Sequence, residues 1–358
     1  MNLQLKKLLL VSAVLTPVAV NAMEISGKYL EIYSKIHMSV DFSDRDVAGV
    51  TNDGMSISSN SSRLGFKGKK KIKSGQEIIW QFEQEVAFDD ANKGNFANRN
   101  SFIGLVGGVH SIRVGVHDTP FKSVASKWGL FGDSVAERRS ILGASFNKGN
   151  QLNERVTNMV MYQFKNKAMK VQAMYSVDPE ATTAGAVDDS VKTMKGIGAW
   201  YKTGDLKLSA GFEQWINHSV IDEGSAIRLA AIYRIDAHQI GAIYEDIDSD
   251  GTTANALAFK RSVMGVNWKY KFASDTDFRA QYLVAGDADG SANTGATKIG
   301  LGVYRKLDKN TKAYIAFAST SNDSGAKFQA VDGGHGDEVK TATGGSPNSI
   351  STGIEYKF

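Results

Sequence analysis

Apolar and polar side chains alternate with a period of two along most of this 358-residue chain. In the first such run Leu30, Ile32, Ile36, Met38 and Val40 share one parity, and Glu31, Lys35, His37, Ser39 and Asp41 share the other. Successive side chains of a strand point to opposite faces, so the run describes a strand with one apolar and one polar face. The pattern recurs in Ile78, Trp80 and Phe82 against Glu77, Gln81 and Glu83, and in Ile112, Val114 and Val116 against Arg113 and His117. Phe102 and Val106 follow Arg99 in the same way. Val156, Val160, Tyr162 and Phe164 read as one apolar parity, and Ile227, Leu229 and Tyr233 oppose Arg228 and Arg234. About sixteen segments of roughly ten residues can be traced, the length and even number of an outer-membrane barrel. Lys298–Leu307 and Thr311–Thr320 are ambiguous in phase.

No run of about 18 apolar residues follows the first two dozen positions, which excludes a transmembrane helix there. A mean hydropathy of −0.25 is compatible with a barrel, because only alternate residues meet lipid. In hydrocarbon every backbone N–H and C=O needs an internal partner, so strands can span only as a closed barrel. Short connections such as Lys73-Ser74-Gly75, Gly107-Gly108 and Asn166-Lys167 alternate with longer polar ones, as periplasmic turns alternate with outside loops. Aromatic pairs near strand ends, among them Tyr162/Phe164, Trp200/Tyr201 and Tyr356/Phe358, read as interfacial girdles.

The front end is a targeting segment. Lys6 and Lys7 precede the apolar run Leu8–Val20, and Val20-Asn21-Ala22 is a small-x-small cleavage site. Residues 1–22 are therefore expected to be removed, leaving residues 23–358 as the barrel. Without Lys6 and Lys7 the balance is 40 Lys+Arg against 38 Asp+Glu, which offers no clustered basic face for nucleic acid. There is no cysteine, so disulfides, thiolate metal sites and a cysteine nucleophile are excluded.

One connection is anomalous. Asp118–Glu154 runs for 37 residues, far beyond an ordinary loop. It carries Asp118, Asp133, Glu137 and Glu154 beside Lys122, Lys127, Arg138 and Arg139. The expectation is an all-β transmembrane antiparallel barrel of about sixteen strands with this loop folded into its lumen.

Four stretches resemble the Gram-negative general porin family, in its beta- and gammaproteobacterial branch. They are Ser59–Gly68 (SNSSRLGFKG), Arg99–Leu105 (RNSFIGL), Arg113–Lys122 (RVGVHDTPFK) with Leu130–Asp133 (LFGD), and the terminal Gly353–Phe358 (GIEYKF). The resemblance covers the whole mature chain. It implies a homotrimer of sixteen-stranded barrels in the Gram-negative outer membrane, among lipid and lipopolysaccharide. It also implies passive diffusion of small hydrophilic solutes and ions, and no cofactor. The barrel-assembly machinery would read the terminal aromatic pair Tyr356 and Phe358. Arg63, Arg99 and Arg155 match positions that line the basic wall opposite the loop in this family. The alternation independently puts these three on the polar parity, and Arg113 shares that phase. Where the family often has a second arginine, this chain has Val116.

The mechanism expected is a transverse field: Asp118, Asp133 and Glu137 on the loop face Arg63, Arg99, Arg113 and Arg155 on the wall. Low-dielectric walls focus such a field across a narrow aqueous passage, and charged rings set ion preference in pores. A substrate-specific porin with a saturable site is the near alternative. A barrel enzyme is the distant one, because the six histidines are scattered and show no local nucleophile motif. Asp246-x-Asp248-x-Asp250-Gly251 imitates the start of a calcium loop, but its twelfth position is Leu257 rather than glutamate. It reads as part of a hydrated outer loop, placed to bridge lipopolysaccharide through divalent ions.

Overall fold

The computed structural model describes residues 30–47, 54–90, 96–145, 148–150, 152–180, 192–218, 222–249 and 260–358. The expected signal segment, Asp250, Gly251 and Leu257 lie outside them. The strands are β1 (Glu31–Asp44), β2 (Gly54–Ser59), β3 (Arg63–Lys71), β4 (Glu77–Glu85), β5 (Ser101–Gly107) and β6 (His110–Asp118). Helix α1 (Pro120–Trp128), a 3-10 turn (Arg138–Ser140) and the small hairpin β7 (Ala144–Ser145) and β8 (Lys148–Asn150) follow. Then come β9 (Arg155–Lys165), β10 (Met169–Val177), β11 (Thr193–Thr203), β12 (Leu206–His218), β13 (Asp222–Ile235) and β14 (His238–Ser249). The last five are β15 (Arg261–Lys271), β16 (Thr276–Ala285), β17 (Ala296–Lys306), β18 (Thr311–Asn322) and β19 (Asn348–Lys357).

All but β7 and β8 form one antiparallel sheet, closed where β1 pairs with β19 from Lys35↔Lys357 to Asp44↔Asn348. β2 and β3 are two halves of one stave. The first pairs with the end of β1 at Met38–Ser43 and the second with its start at Glu31–Lys35. The chain breaks between them at Asn60–Ser62, where Ser61 takes a left-handed φ of 48°. The barrel therefore has sixteen strands, and closure leaves no open edge. At the Gly108 hairpin, φ is +61°, a conformation a glycine adopts without penalty.

The outer belt is apolar: Ile197, Leu208, Phe212, Ile227, Leu229, Ile240, Met264, Val266 and Ile315 are all exposed. The opposite parity points inward. Lys35, His37, Ser39 and Asp41 of β1, and Glu213, Arg228 and Asn267 elsewhere, are buried inside, as the alternation requires. Tyr356 and Phe358 face outward at the closing seam.

The structure corrects three facings. Val156 is fully buried inside, whereas Val160 and Tyr162 face out. A bulge causes the change: Gly115 pairs with Met159, yet His117 pairs with Val156, and Asn158 is left-handed. An extra residue in one strand flips the parity beyond it. In β5 the lipid-facing residues are Ile103 and Leu105. Phe102 lies on the inner face beneath the Arg113 guanidinium, 4.9 Å from its ring centroid. Trp200 also leaves the girdle. It carries the Lys170 ammonium 3.3 Å from its ring centroid and packs beside the inner cluster of Val124 and Trp128. The open phases are settled too: Ile299, Leu301, Val303, Ile315 and Phe317 face out.

Candidate pore constriction

The segment between β6 and β9 opens with a short helix. Thr119 caps it by accepting a hydrogen bond from the Lys122 amide (3.1 Å), and Pro120 sits at its first position. Phe121, Val124, Ala125 and Trp128 form its buried face. That face rests on inward glycines of the wall. A Cβ on Gly211 would meet Val124 and Phe121, one on Gly198 would meet Pro120, and one on Gly265 would stand 3.3 Å from the Trp128 ring.

Beyond the helix, wall side chains satisfy the loop's backbone. The Trp128 carbonyl accepts from Asn267 of β15 (3.0 Å), that of Leu130 from Arg279 of β16 (2.6 Å) and that of Ala136 from Gln281 (2.7 Å). Lys298 of β17 donates to the Ser140 hydroxyl (2.8 Å), and Asp133 pairs with Lys35 of β1. The chain then returns, with the Gly143 amide donating to Glu245 of β14 (2.7 Å). A loop rooted between β6 and β9 that touches β13 to β17 and then β1 has crossed the interior of the barrel. Burying its backbone there requires these partners.

Trp128 is the largest apolar anchor of the loop. Trp128→Ala is expected to destabilise the seated loop by about 3–5 kcal/mol, read as a lower urea midpoint in detergent. The variant should also show rapid current flicker in bilayers.

A second inward segment was not legible as such. The connection after β18 buries Ala326, Phe328, Ala330, Val331 and Val339. The Ala330 carbonyl accepts from Lys298 (2.5 Å), and that of Gly334 accepts from Ser61 (2.9 Å). His335 Nε2 lies 3.0 Å from Asp41, and Gly333 and Gly334 press on Arg139 and Asp133. Its glycines and aspartates imitate a hydrated outer loop. The Phe328-x-Ala330-Val331 run was the one signal against that reading.

None of the described loop hydrogen bonds reaches β3, β4 or β5, and the expected wall residues stand along that side. Arg99 pairs with Glu83 (2.8 Å) and Glu85 (3.1 Å), and Arg63 approaches Glu83 from the other side (3.5 Å). The Tyr33 hydroxyl also donates to Glu83 (2.9 Å). Arg155 pairs with Asp118 (3.2 Å), which also holds Lys122 (2.9 Å), and Asn100 bridges Asp118 and Arg155. Glu83, buried between two arginines, is the residue that alternation alone could not single out.

The expected grouping changes in three respects. Asp118 ends β6 and sits on the wall beside Arg155, because its backbone is still in the sheet opposite that residue. Glu137 faces inward on the loop itself: its side chain is 1 % exposed and held by Arg138 (2.7 Å) and Arg139 (3.3 Å). Arg113 leaves the cluster and lines a separate hollow with Lys127 and Lys170. Val116 is half-buried at the bulge. Asp133 is the loop acid that turns to the wall on β1, paired with Lys35 and with Arg139 (2.8 Å) and partly covered by Gly334. Burial alone would push its carboxyl up, but Lys35, Arg139 and Arg63 outweigh burial and hold it well below the usual carboxylate range. Burial likewise competes with Arg138 and Arg139 at Glu137, and the arginines prevail, so it too is lowered.

Six cations, Lys35, Arg63, Arg99, Lys122, Arg139 and Arg155, thus border four carboxylates, Glu83, Glu85, Asp118 and Asp133. Arg139 also holds Glu137 (3.3 Å) and Lys35 approaches Glu355 (3.8 Å), but Arg138, Lys312 and Lys357 share those two acids, so the network keeps its positive surplus. Burial lowers Lys122 to about 8, against the pull of Asp118. Its positive charge is present below that pH and lost above it. Anion preference is therefore expected to fall between pH 7 and pH 9 in the wild-type protein, and to stay flat over that step in Lys122→Gln. Reversal potentials across a salt gradient at each pH check this.

A closed sixteen-stranded barrel with an apolar belt, a polar interior and an inserted loop bordered by charge defines a membrane channel of the porin type. Comparison with known proteins places it more closely. The sequence profile of the Gram-negative porin family matches residues 9–325, and the chain belongs to that family. It is 31% identical over 137 residues to the major outer membrane protein P.IB of Neisseria gonorrhoeae, a match spanning 37% of this chain and 39% of that protein. The P.IB proteins of Neisseria meningitidis serogroup B match at 33% over 234 residues (63% of this chain, 62% of theirs) and at 24% over 298 residues (77% and 81%). Among solved structures, an anion-selective porin from Comamonas acidovorans has the same fold, with a TM-score of 0.73 at 20% identity over 92% of this chain and 99% of that one. The trimer form of OmpT from Vibrio cholerae gives a TM-score of 0.64 at 17% identity over 92% and 99%. The outer membrane is therefore where this chain resides, crossed by its strands.

Proposed function

We propose that the protein is a passive channel for small hydrophilic solutes and ions, with weak preference for anions, and that it carries out no chemical step. The observation that carries the preference is the excess of cations over carboxylates around the gap between loop and wall. In a low-dielectric frame that surplus raises the local concentration of anions. Arg63, Arg99 and Arg155 with Glu83 and Asp118 form one side of the passage, and Asp133, Lys122 and Arg139 form the other. Arg113 acts below them, and Glu137 holds the arginine fork rather than facing the solute. The absence of a chemical step is drawn from the family to which the chain belongs.

The same reading takes residues 1–22 as an export signal, removed before assembly, and Tyr356 and Phe358 as the terminal signal read by the assembly machinery. It takes the protein as a homotrimer facing lipopolysaccharide. The trimer form of the Vibrio structure and its shared fold support this. Single-channel recording tests both points together. A trimer of open pores closes in three equal steps under high voltage, and its current scales with bulk salt. Current that saturates with one solute would favour a substrate-specific porin instead.

A further inference from the structure

Below the helix, at the end of the barrel that carries the short turns, lies a hollow of about 550 Å³. Lys165 and Lys170 stand directly opposite each other on β9 and β10, and Lys202 and Lys207 do so on β11 and β12. Arg234 of β13 continues the row, and Lys127 reaches it from the helix. Like charges directly opposite on one sheet face destabilise it, and here two such pairs stand side by side. No acidic residue lines the hollow, and none of these six cations has an ion pair among the described residues. The polar partners that Lys170 and Arg234 do have are neutral: Gln172 (3.1 Å) and Gln239 (3.0 Å). Trp200 backs the site, and its indole N–H is buried without a partner. At the constriction, by contrast, acids neutralise most of the cations.

We infer that this hollow binds small multivalent phosphorylated anions and delivers them to, or collects them from, the constriction. The inference rests on the passage proposed above. Two features select the ligand class. The lysine pairs are two strands apart, about 10 Å at the usual strand spacing, which suits two or more linked or separated phosphate groups rather than a single monovalent ion. The five strand cations belong to the lumen parity, and outward Met169, Tyr201 and Leu208 meet the hollow only at its rim. The charged groups therefore face the water-filled interior rather than the lipid headgroups around the barrel. A phosphorylated ligand supplies the missing negative charge, and charged hydrogen bonds from lysine and arginine are the strong kind.

Inorganic tripolyphosphate is the probe. In bilayers holding the full-length mature protein in dilute KCl, it is expected to block current saturably and more effectively from the short-turn side. Acetate at equal ionic strength should not block. Equilibrium binding of the same probe to the detergent-solubilised protein should saturate and weaken steeply with added salt. Lys170→Gln combined with Lys202→Gln should lower that affinity by about tenfold or more, the loss of at least one charged hydrogen bond, while open-channel conductance stays close to wild type. Block linear in concentration, or binding unchanged in the double variant, overturns the site. A protein that binds the probe in detergent yet conducts nothing keeps the site and refutes the passage.

Discussion

Replacing Glu245 with alanine is expected to unseat the lumen loop and to cost the protein about 3–5 kcal/mol. Glu245 and Arg228 are both fully buried, and one carboxylate oxygen takes the guanidinium while the other accepts the Gly143 amide. Arg228 in turn donates to the Phe121 carbonyl (3.1 Å) and lies over the Phe121 ring, 3.8 Å from its centroid. One ion pair thus clamps the outgoing and the returning limb of the loop to β13 and β14. Removing the carboxylate strands a buried cation, and this penalty exceeds the net value of the pair. Urea unfolding in detergent should show the lower midpoint, and bilayer recordings should show unstable conductance levels. Arg228→Met with Glu245→Leu removes both charges and should recover much of the stability while leaving the loop less firmly placed. A Glu245→Ala protein with wild-type stability and quiet current would mean the clamp is not what holds the loop.

Arg63→Ala combined with Arg99→Ala is expected to move the reversal potential from the anion side toward the cation side. The two substitutions leave four cations around four carboxylates, and they also free Glu83 and Glu85, which the arginines neutralise. Mobile ions screen exposed charges more strongly as salt rises, so the shift should shrink with it. Glu83→Gln is the opposite experiment and should deepen anion preference. It also tests the residue that sequence reasoning passed over. An unchanged reversal potential in both variants would remove this cluster from the passage.

The barrel was legible because its physics is periodic. A lipid-facing belt and a wet interior force alternation, and the outward apolar parity of β1, β13, β15 and β16 follows it, even where Ile232, Val263 and Leu283 make the inner face apolar beneath the loop. Facing went wrong where something else set the side chain. Val156 flips behind a bulge, which costs one residue and leaves composition unchanged. Phe102 and Trp200 turn inward to stack on Arg113 and Lys170. The phases of β17 and β18 were unreadable because their inner positions are themselves apolar or small: Gly300 sits under Ala136, Gly302 under Phe131, and Ala316 and Ala318 are buried. A barrel that seats a loop gives up its clean polar parity at the seat.

The site was legible only in part. Arg63, Arg99 and Arg155 could be placed from parity and from the resemblance, since each sits in or beside a regular strand. The loop acids could not, because a loop of this length has no period to say which side chains turn to the wall. Asp133 turns to the wall on β1, Glu137 folds under the arginines, and Asp118 belongs to the strand. The inward course of the last long loop depends on contacts with Asn60, Asp41 and Arg139, far away in sequence. The basic hollow likewise emerges only when six neighbouring strands, β6 and β9 to β13, and the helix are set side by side.

The central claim is an open aqueous passage with a surplus of positive charge at its narrowest part. Single-channel recording of the wild-type protein in a tenfold KCl gradient tests it most directly. The account predicts stepwise currents that scale with salt and a reversal potential on the chloride side, moving toward zero as total salt rises. A bilayer that stays silent, or a reversal potential firmly on the potassium side, would contradict it.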